Sequence, residues 1–105
     1  MNDIYRGTTP TIVLKVTNED FDMSSIMECH MTIQQSTGKN KKIFDHPTLD
    51  NEEKTISQEL SQQDTLDFDY GNINIQVKMK LKNGRVIASR IITTQMNRIL
   101  EETVL

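Results

Sequence analysis

The chain of 105 residues is long enough for one domain with a single core, and its net charge of −3 argues against binding to nucleic acid. Its hydrophobic fraction of 35% is low and tryptophan is absent, so the core must rest on Ile, Leu, Val and Met. Either a partner chain completes this core or the sheet is thin and polar. No apolar run is long enough to cross a membrane, no secretory signal begins the chain, and the lone Cys29 excludes an internal disulfide.

Two stretches in the first half of the chain alternate polar and apolar residues, as strands with one wet and one dry face do. The first is TIVLKV (11–16), directly after Pro10, which is tolerated at the start of a strand. The second is MECHMTIQQ (27–35). The predicted dry face of this second stretch carries Met27, Cys29, Met31 and Ile33. The break STGKN and the short strand KKIFD follow, so residues 27–45 are predicted to form a β-hairpin.

Short helical turns are predicted at two places between the strands. Asp22 or Ser24 can cap the first turn. Ser61 and Asp64 have the spacing of a capping box for the second, in the stretch LSQQDTLDF, which the strand KTISQEL (54–60) precedes. The chain has no longer helical period, so these turns are the main helical segments that we expect.

The clearest strand is GNINIQVKMKL (71–81), in which every second residue after the glycine is apolar. Asn83 and Gly84 follow it and favour a two-residue type I′ turn, with VIASRIITT (86–94) as the antiparallel partner. The tail QMNRILEETVL (95–105) is compatible with a last strand or with a short helix, and its pattern does not decide between them.

The six or seven short strands and the turns between them predict an all-β fold, an antiparallel sandwich that forms a single domain over residues 1–105. We expect the immunoglobulin-like form with one or two short helical turns, lacking the disulfide and the core tryptophan of antibody domains. A small barrel also buries one face of each strand and is the alternative.

No group of residues has the spacing of a catalytic or metal site. His30 is predicted on the wet face of its strand, His46 in a loop, and Cys29 on the dry face as a small apolar side chain. The carboxylates considered for calcium are Glu19, Asp20, Asp22, Asp64, Asp67 and Asp69. Their spacing lacks the further ligands and the glycine of a calcium-binding loop. We therefore expect no enzyme activity, no catalytic residue, no cofactor and no bound metal.

Four stretches occur in order along most of the chain: IYRGTTPTIVLKV, LSQQDTLDF, GNINIQVKMKLKNGRVIASRIITTQM and NRILEETVL. The positions that carry a likeness are Arg6–Thr11, Leu60–Leu66, Ile75–Val77, Ala88–Ile91 and Arg98–Leu105. Together they resemble a family of small structural proteins encoded in prophages of Gram-positive bacteria. A weaker similarity links the chain to the N-terminal module of phage baseplate upper proteins, which hold receptor-binding proteins. The resemblance implies an Ig-like component of the tail, neck or baseplate region and carries no catalytic residues.

We therefore expect a non-enzymatic prophage structural or assembly protein that acts through protein–protein contacts. Its expected partners are other virion proteins or further copies of itself, with no nucleic acid and no membrane. Its expected location is the bacterial cytoplasm during assembly and the virion afterwards. The candidate interface residues are Ile4, Tyr5, Arg6, Ile99, Leu100, Val104 and Leu105. Two alternatives stay open: these segments close the core instead, or the protein is a small Ig-like module that recognises a cell-surface carbohydrate or protein.

Overall fold

The computed structural model describes residues 3–18, 20–101 and 103–105, which form an all-β sandwich of two sheets. The strands are β1 (Ile4–Tyr5), β2 (Thr11–Lys15), β3 (Ile26–Gln35), β4 (Lys41–Phe44), β5 (Thr48–Asp50), β6 (Thr55–Glu59), β7 (Gly71–Leu81), β8 (Val86–Ala88) and β9 (Ile92–Asn97). Helical segments in the described ranges are a 3-10 turn at Met23–Ser25, capped by Asp22, and the short helix α1 (Gln62–Leu66). The predicted all-β sandwich with one or two short helical turns is confirmed, and its strand pairs are antiparallel except for β1 with β9, which pair in parallel.

The strand order is that of an immunoglobulin domain. The larger sheet has the order β1-β9-β7-β3-β4, with β8 also paired to β7, and the smaller sheet has the order β2-β6-β5. These orders correspond to G-F-C-C′ with β1 added and to B-E-D of variable-type domains. The fold differs at β2, because no described strand pairs with its outer edge, where strand A lies in many immunoglobulin domains.

The regular alternation of β7 places it at the centre of the larger sheet. It pairs with β3 on one side and with β8 and β9 on the other. Its residues Ile73, Ile75 and Val77 are buried and share one core cluster with Ile12 and Ile56 of the smaller sheet. The core is thus built mainly from aliphatic and methionine side chains, as the composition indicates.

The alternation of β3 is shifted at one point. A β-bulge lies between Ile26 and Glu28, so Ile26 is buried and Met27 is exposed. The prediction that Met27 lies on the dry face is wrong for this reason. After the bulge the predicted pattern holds, since Cys29 and Met31 are both buried.

Both predicted hairpins form, but the turn after β7 is of another type. Gly84 has a positive φ of 89°, whereas Asn83 is not among the residues with positive φ, which a type I′ turn requires. The Gly84 N–H donates to the carbonyl of Leu81 (2.9 Å) and the side chain of Asn83 accepts from the Arg85 N–H (3.0 Å). These bonds describe a type I turn followed by a glycine bulge, and the two-residue turn predicted here is wrong.

Ser89 divides the strand predicted at 86–94 into β8 and β9. Its N–H donates to the carbonyl of Val77 (2.8 Å), and its hydroxyl accepts from the N–H of Val77 (3.0 Å). The serine side chain thus takes the place of a strand carbonyl. The chain can therefore leave the ladder here while both backbone groups of Val77 stay paired.

Candidate interaction surfaces

The N-terminal segment is divided between the core and the surface. Ile4 is buried in the core, and Tyr5 is 50% exposed. The guanidinium of Arg6 donates from Nε to the carbonyl of Phe68 (2.7 Å) and from Nη2 to the carbonyl of Leu66 (2.9 Å). Ile4 and Arg6 therefore stabilise the fold, and Tyr5 is the residue of this segment that offers exposed side-chain surface. Their role in an interface stays a prediction.

The loop after β1 and the helix form one hydrogen-bonded unit, which we call the α1 end. The α1 end comprises Arg6–Thr8 and Ser61–Phe68. Thr65 is fully buried, and its hydroxyl donates to the carbonyl of Thr8 (2.9 Å). The side-chain amide of Gln62 donates to the carbonyl of Gly7 (3.2 Å), whose φ of 76° suits glycine. The α1 end thus brings together two of the four stretches that carry the family resemblance.

Helix α1 begins with a capping box, as the spacing of Ser61 and Asp64 indicates. The Ser61 hydroxyl accepts from the Asp64 N–H (3.0 Å), and the Asp64 carboxylate accepts from the Ser61 N–H (2.9 Å). Lys42 of β4 then places its Nζ 3.2 Å from Asp64 Oδ1 and 2.6 Å from Asp67 Oδ2. This triad ties the helix to the edge strand of the larger sheet.

The three charges of this triad shift one another's pKa values. The hydrogen bond from Lys42 lowers the pKa of Asp67. Burial acts to raise the pKa of Asp64, but the hydrogen bonds from Ser61 and Lys42 outweigh it, and the pKa is lowered. The pKa of Lys42 is raised, chiefly by its hydrogen bond to Asp67. All three shifts favour the charged forms, as in a structural ion pair.

The C-terminal tail, defined as Arg98–Leu105, carries apolar side chains into solvent. Ile99 is half-buried. The exposed apolar residues of the tail are Leu100, Val104 and Leu105. The backbone N–H of Leu105, whose residue is 95% exposed, donates to the side chain of Gln62 (3.2 Å). No helix or strand is assigned in the described part of the tail, so of the strand or short helix considered for residues 95–105, only a strand forms, and it ends with β9 at Asn97.

A cleft of about 640 Å³ opens between the two sheets, with β2 on one side and β7, β8 and β9 on the other. Its apolar lining includes Leu14, Val16, Ile56, Val77, Ile87 and Ile92. Leu14 and Ile56 are buried, whereas Ile87 is 37% exposed. We call this feature the intersheet cleft, and it exposes one flank of the core to solvent.

The described rim of the intersheet cleft carries two cations, and strand β2 in its wall has one edge with no described partner strand. The charged side chains among the described lining residues are two cations, Lys15 and Arg90. Strand β2 pairs with β6 along one edge, and no described strand pairs with the other. An open edge beside an apolar cleft can accept an added strand, whose backbone pairs with the edge while alternate side chains enter the cleft.

The sequence did not predict the intersheet cleft. The alternation of residues 11–16 marks Leu14 and Val16 as core residues, but it does not tell which neighbour covers them. The signal that could have found the cleft is the short sequence separation between β1, which ends at Tyr5, and β2, which begins at Thr11. The residues between them are too few to form a further strand at the outer edge of β2.

Of the residues considered for catalysis or metal binding, Cys29 and His46 line the same small depression, and His30 lies elsewhere. His30 is partly exposed, and its Nε2 lies 3.0 Å from Oε1 of Glu28. Cys29 is buried as predicted, and burial raises the pKa of its thiol. Within the described ranges, no group of three His, Cys, Asp or Glu side chains could hold a metal ion. Glu19, considered for calcium, lies outside the described residues.

Comparisons with protein-family models, with curated proteins and with solved structures each found no match. Across residues 3–18, 20–101 and 103–105, no helix is long and apolar enough to span a membrane. Function is therefore inferred from the tail, the intersheet cleft and the exposed aromatic residues.

Proposed function

We propose that this protein is a non-enzymatic structural or assembly component of a prophage virion, in the tail, neck or baseplate region. It acts through protein–protein contacts. The observation that carries the proposal is the exposed apolar surface of the tail, formed by Leu100, Val104 and Leu105. Apolar side chains grouped in one exposed segment are typical of surfaces that a partner covers.

The prophage origin comes from the sequence resemblance, and the fold supports an assembly role on physical grounds. Particle components associate through repeated surfaces, either self-complementary or head to tail. An immunoglobulin-like sandwich with an apolar tail, and with an edge of β2 that has no described partner strand, offers such surfaces. The partners are other virion proteins or further copies of this chain.

Induction of the prophage and purification of the particles test this proposal. Mass spectrometry of gradient fractions should find the chain at a constant ratio to the major virion proteins. An abundant host protein measured in the same fractions controls for contamination. The proposal fails if the chain is missing from particles and deletion of its coding sequence leaves particle yield and infectivity unchanged.

A pair of tail variants makes the same test specific. Leu100→Asp combined with Val104→Asp should lower incorporation of the chain into particles, because both side chains are exposed apolar groups in the free protein. Thr103→Asp adds a charge to the same segment without removing an apolar side chain and should be incorporated like the wild type. Equal incorporation of all three proteins would show that the tail is not the contact.

A small Ig-like module that recognises a cell-surface carbohydrate is the second candidate, and two exposed tyrosines favour it. Tyr5 and Tyr70 are 50% and 60% exposed, and aromatic faces can stack on sugar rings. The guanidinium of Arg98 lies 5.8 Å from the centroid of the Tyr70 ring. A glycan array separates the candidates: carbohydrate recognition requires a signal that Tyr70→Ala abolishes and that Leu49→Ala, at another exposed site, retains.

A further inference from the structure

We propose that the intersheet cleft receives the C-terminal tail of a second copy of this chain, so that copies associate head to tail. This inference rests on the proposed assembly function and names both the partner and the contact. Its two halves are the tail, which is exposed and apolar, and the cleft, which is apolar and open.

An extended tail would present apolar side chains to the apolar lining of the cleft. In an extended chain Leu100 and Val104 point to the same side. A tail added along the outer edge of β2 would form backbone hydrogen bonds with it and place these two side chains against Leu14 and Ile87 of the cleft. The contact would bury apolar groups that are exposed on both partners.

The charges of the two elements also correspond. The tail has the consecutive acidic residues Glu101 and Glu102, and successive residues of a strand point to opposite sides. In the added strand, position 102 would share the cleft side with Leu100 and Val104. Position 101 would lie on the other side, toward the outer rim of the cleft. The cleft lining holds the cations Lys15 and Arg90, with no carboxylate among its described residues. Opposite charges steer and orient such an association, and salt weakens it.

A second copy is the better occupant than the molecule's own tail. The tail leaves β9 near the α1 end, where the N–H of Leu105 bonds to Gln62 (3.2 Å). To reach its own cleft, the tail would have to fold back along the outer edge of β9. Strand β1 already pairs with that edge at Met96 and Asn97.

Because the tail and the cleft are different surfaces, the contact is heterologous. Head-to-tail contacts of this type build closed rings or open filaments, whereas a twofold contact stops at a dimer. We therefore expect the mass of the wild-type protein to rise with concentration beyond that of a dimer.

Two variants and their mixture test the inference by light scattering. Leu100→Asp with Val104→Asp damages only the tail, and Ile87→Lys damages only the cleft at a side chain that is already partly exposed. Each protein alone should associate at least about tenfold more weakly than the wild type. Their equimolar mixture should form a dimer and nothing larger, because one intact tail meets one intact cleft.

Val86→Lys is the matched control for the cleft variant. Val86 precedes Ile87 in β8 but is exposed and lines a separate depression with Glu28 and Lys80. It should associate like the wild type. Circular dichroism and thermal unfolding of all variants establish that each one is folded.

A charge exchange provides an independent measurement. Lys15→Glu with Arg90→Glu should weaken association by about two- to tenfold, as should Glu101→Lys with Glu102→Lys. Combining all four substitutions in one chain should restore it, because each opposite-charge pair is re-formed with its signs reversed.

Three results would overturn the inference. They are a wild-type chain that stays monomeric at all concentrations, a mixture of the tail and cleft variants that forms no dimer, and equal loss of association in Val86→Lys and Ile87→Lys. Any of these, in a chain that still enters particles after prophage induction, rejects the tail-in-cleft contact and leaves the proposed function intact. A chain that associates head to tail but never enters particles rejects the proposed function and leaves the tail-in-cleft contact intact.

Discussion

At the α1 end, side chains of the N-terminal loop and the helix satisfy each other's backbone groups, whereas at the intersheet cleft the core meets solvent directly. The α1 end buries Thr65 and uses Arg6 to bond the carbonyls of Leu66 and Phe68. The cleft leaves Ile87 partly exposed and the outer edge of β2 without a described partner. Strands with the same alternation of apolar residues therefore have a covered core at the α1 end and a partly open core at the intersheet cleft. The difference depends on whether another segment of the chain packs over them.

The largest expected effect compares a leucine next to the α1 end with a leucine in the wall of the intersheet cleft. Leu60, just before α1, is 1% exposed, and Leu14, in the cleft wall, is 8% exposed. Leu60→Ala should lower the free energy of unfolding by about 3–4 kcal/mol, and Leu14→Ala by about 2 kcal/mol. The second loss is smaller because Leu14 lines the cleft and is less completely buried than Leu60. Urea unfolding of dilute protein measures both.

Dilution serves as the control for this comparison, because association through the cleft would stabilise the wild type by mass action. The comparison should hold at the lowest concentration that can be measured. If Leu14→Ala costs as much as Leu60→Ala there, the cleft is packed as tightly as the α1 end, and the contrast between the two regions is wrong.

The second effect isolates the hydrogen bonds of the α1 end. Arg6→Met keeps much of the side-chain length but removes the donors to the carbonyls of Leu66 and Phe68. We expect a loss of about 2 kcal/mol, because charge-assisted bonds to partly buried carbonyls are lost. The melting temperature should fall by about 10 °C. Arg85→Met, at an exposed turn position, should change it little, and equal shifts in the two variants would contradict the role of Arg6.

The smallest expected effect is a dependence on pH. The lowered pKa of Asp67 means that its ion pair stabilises the fold above the unfolded-state pKa, near 3.9, and is lost as the pH falls through the folded-state value. Asp67→Asn should therefore cost less than about 1 kcal/mol at pH 7, since the side chain is partly exposed. The difference from wild type should vanish in strong acid.

Thermal unfolding across the acid range measures this prediction. Asp45→Asn, which changes an exposed carboxylate that forms no described ion pair with Lys42, serves as the matched control and should leave the stability difference unchanged. A stability difference for Asp67→Asn that grows as the pH falls would have the wrong sign and would reject the ion pair as the cause.

The local features of the fold were predictable because they depend on neighbours in sequence. Alternation identified the buried face of β7, the spacing of Ser61 and Asp64 identified the capping box, and glycine with asparagine identified the hairpin after β7. The type of that turn was missed, because the side chain of Asn83 bonds to the Arg85 N–H and favours a type I geometry.

The long-range features were not predictable from periodicity. Arg6 bonds to carbonyls about sixty residues away, and every residue has a carbonyl, so no sequence pattern marks which one will accept. The bulge that exposes Met27 arises where β3 pairs with β7. The residue pattern of β3 alone therefore does not predict it. The intersheet cleft, likewise, depends on which strand is absent from an edge rather than on any residue that lines it.

The parallel pairing of β1 with β9 sets an order for folding. Ile4 lies opposite Met96 and Tyr5 opposite Asn97, so the first and last strands among the described residues pair with each other. The bonds of Arg6 need only the chain up to Phe68, so they do not depend on β9. Strand β1 must wait until β9 is available, so this sheet edge closes after the α1 end and contributes a non-local contact that slows folding.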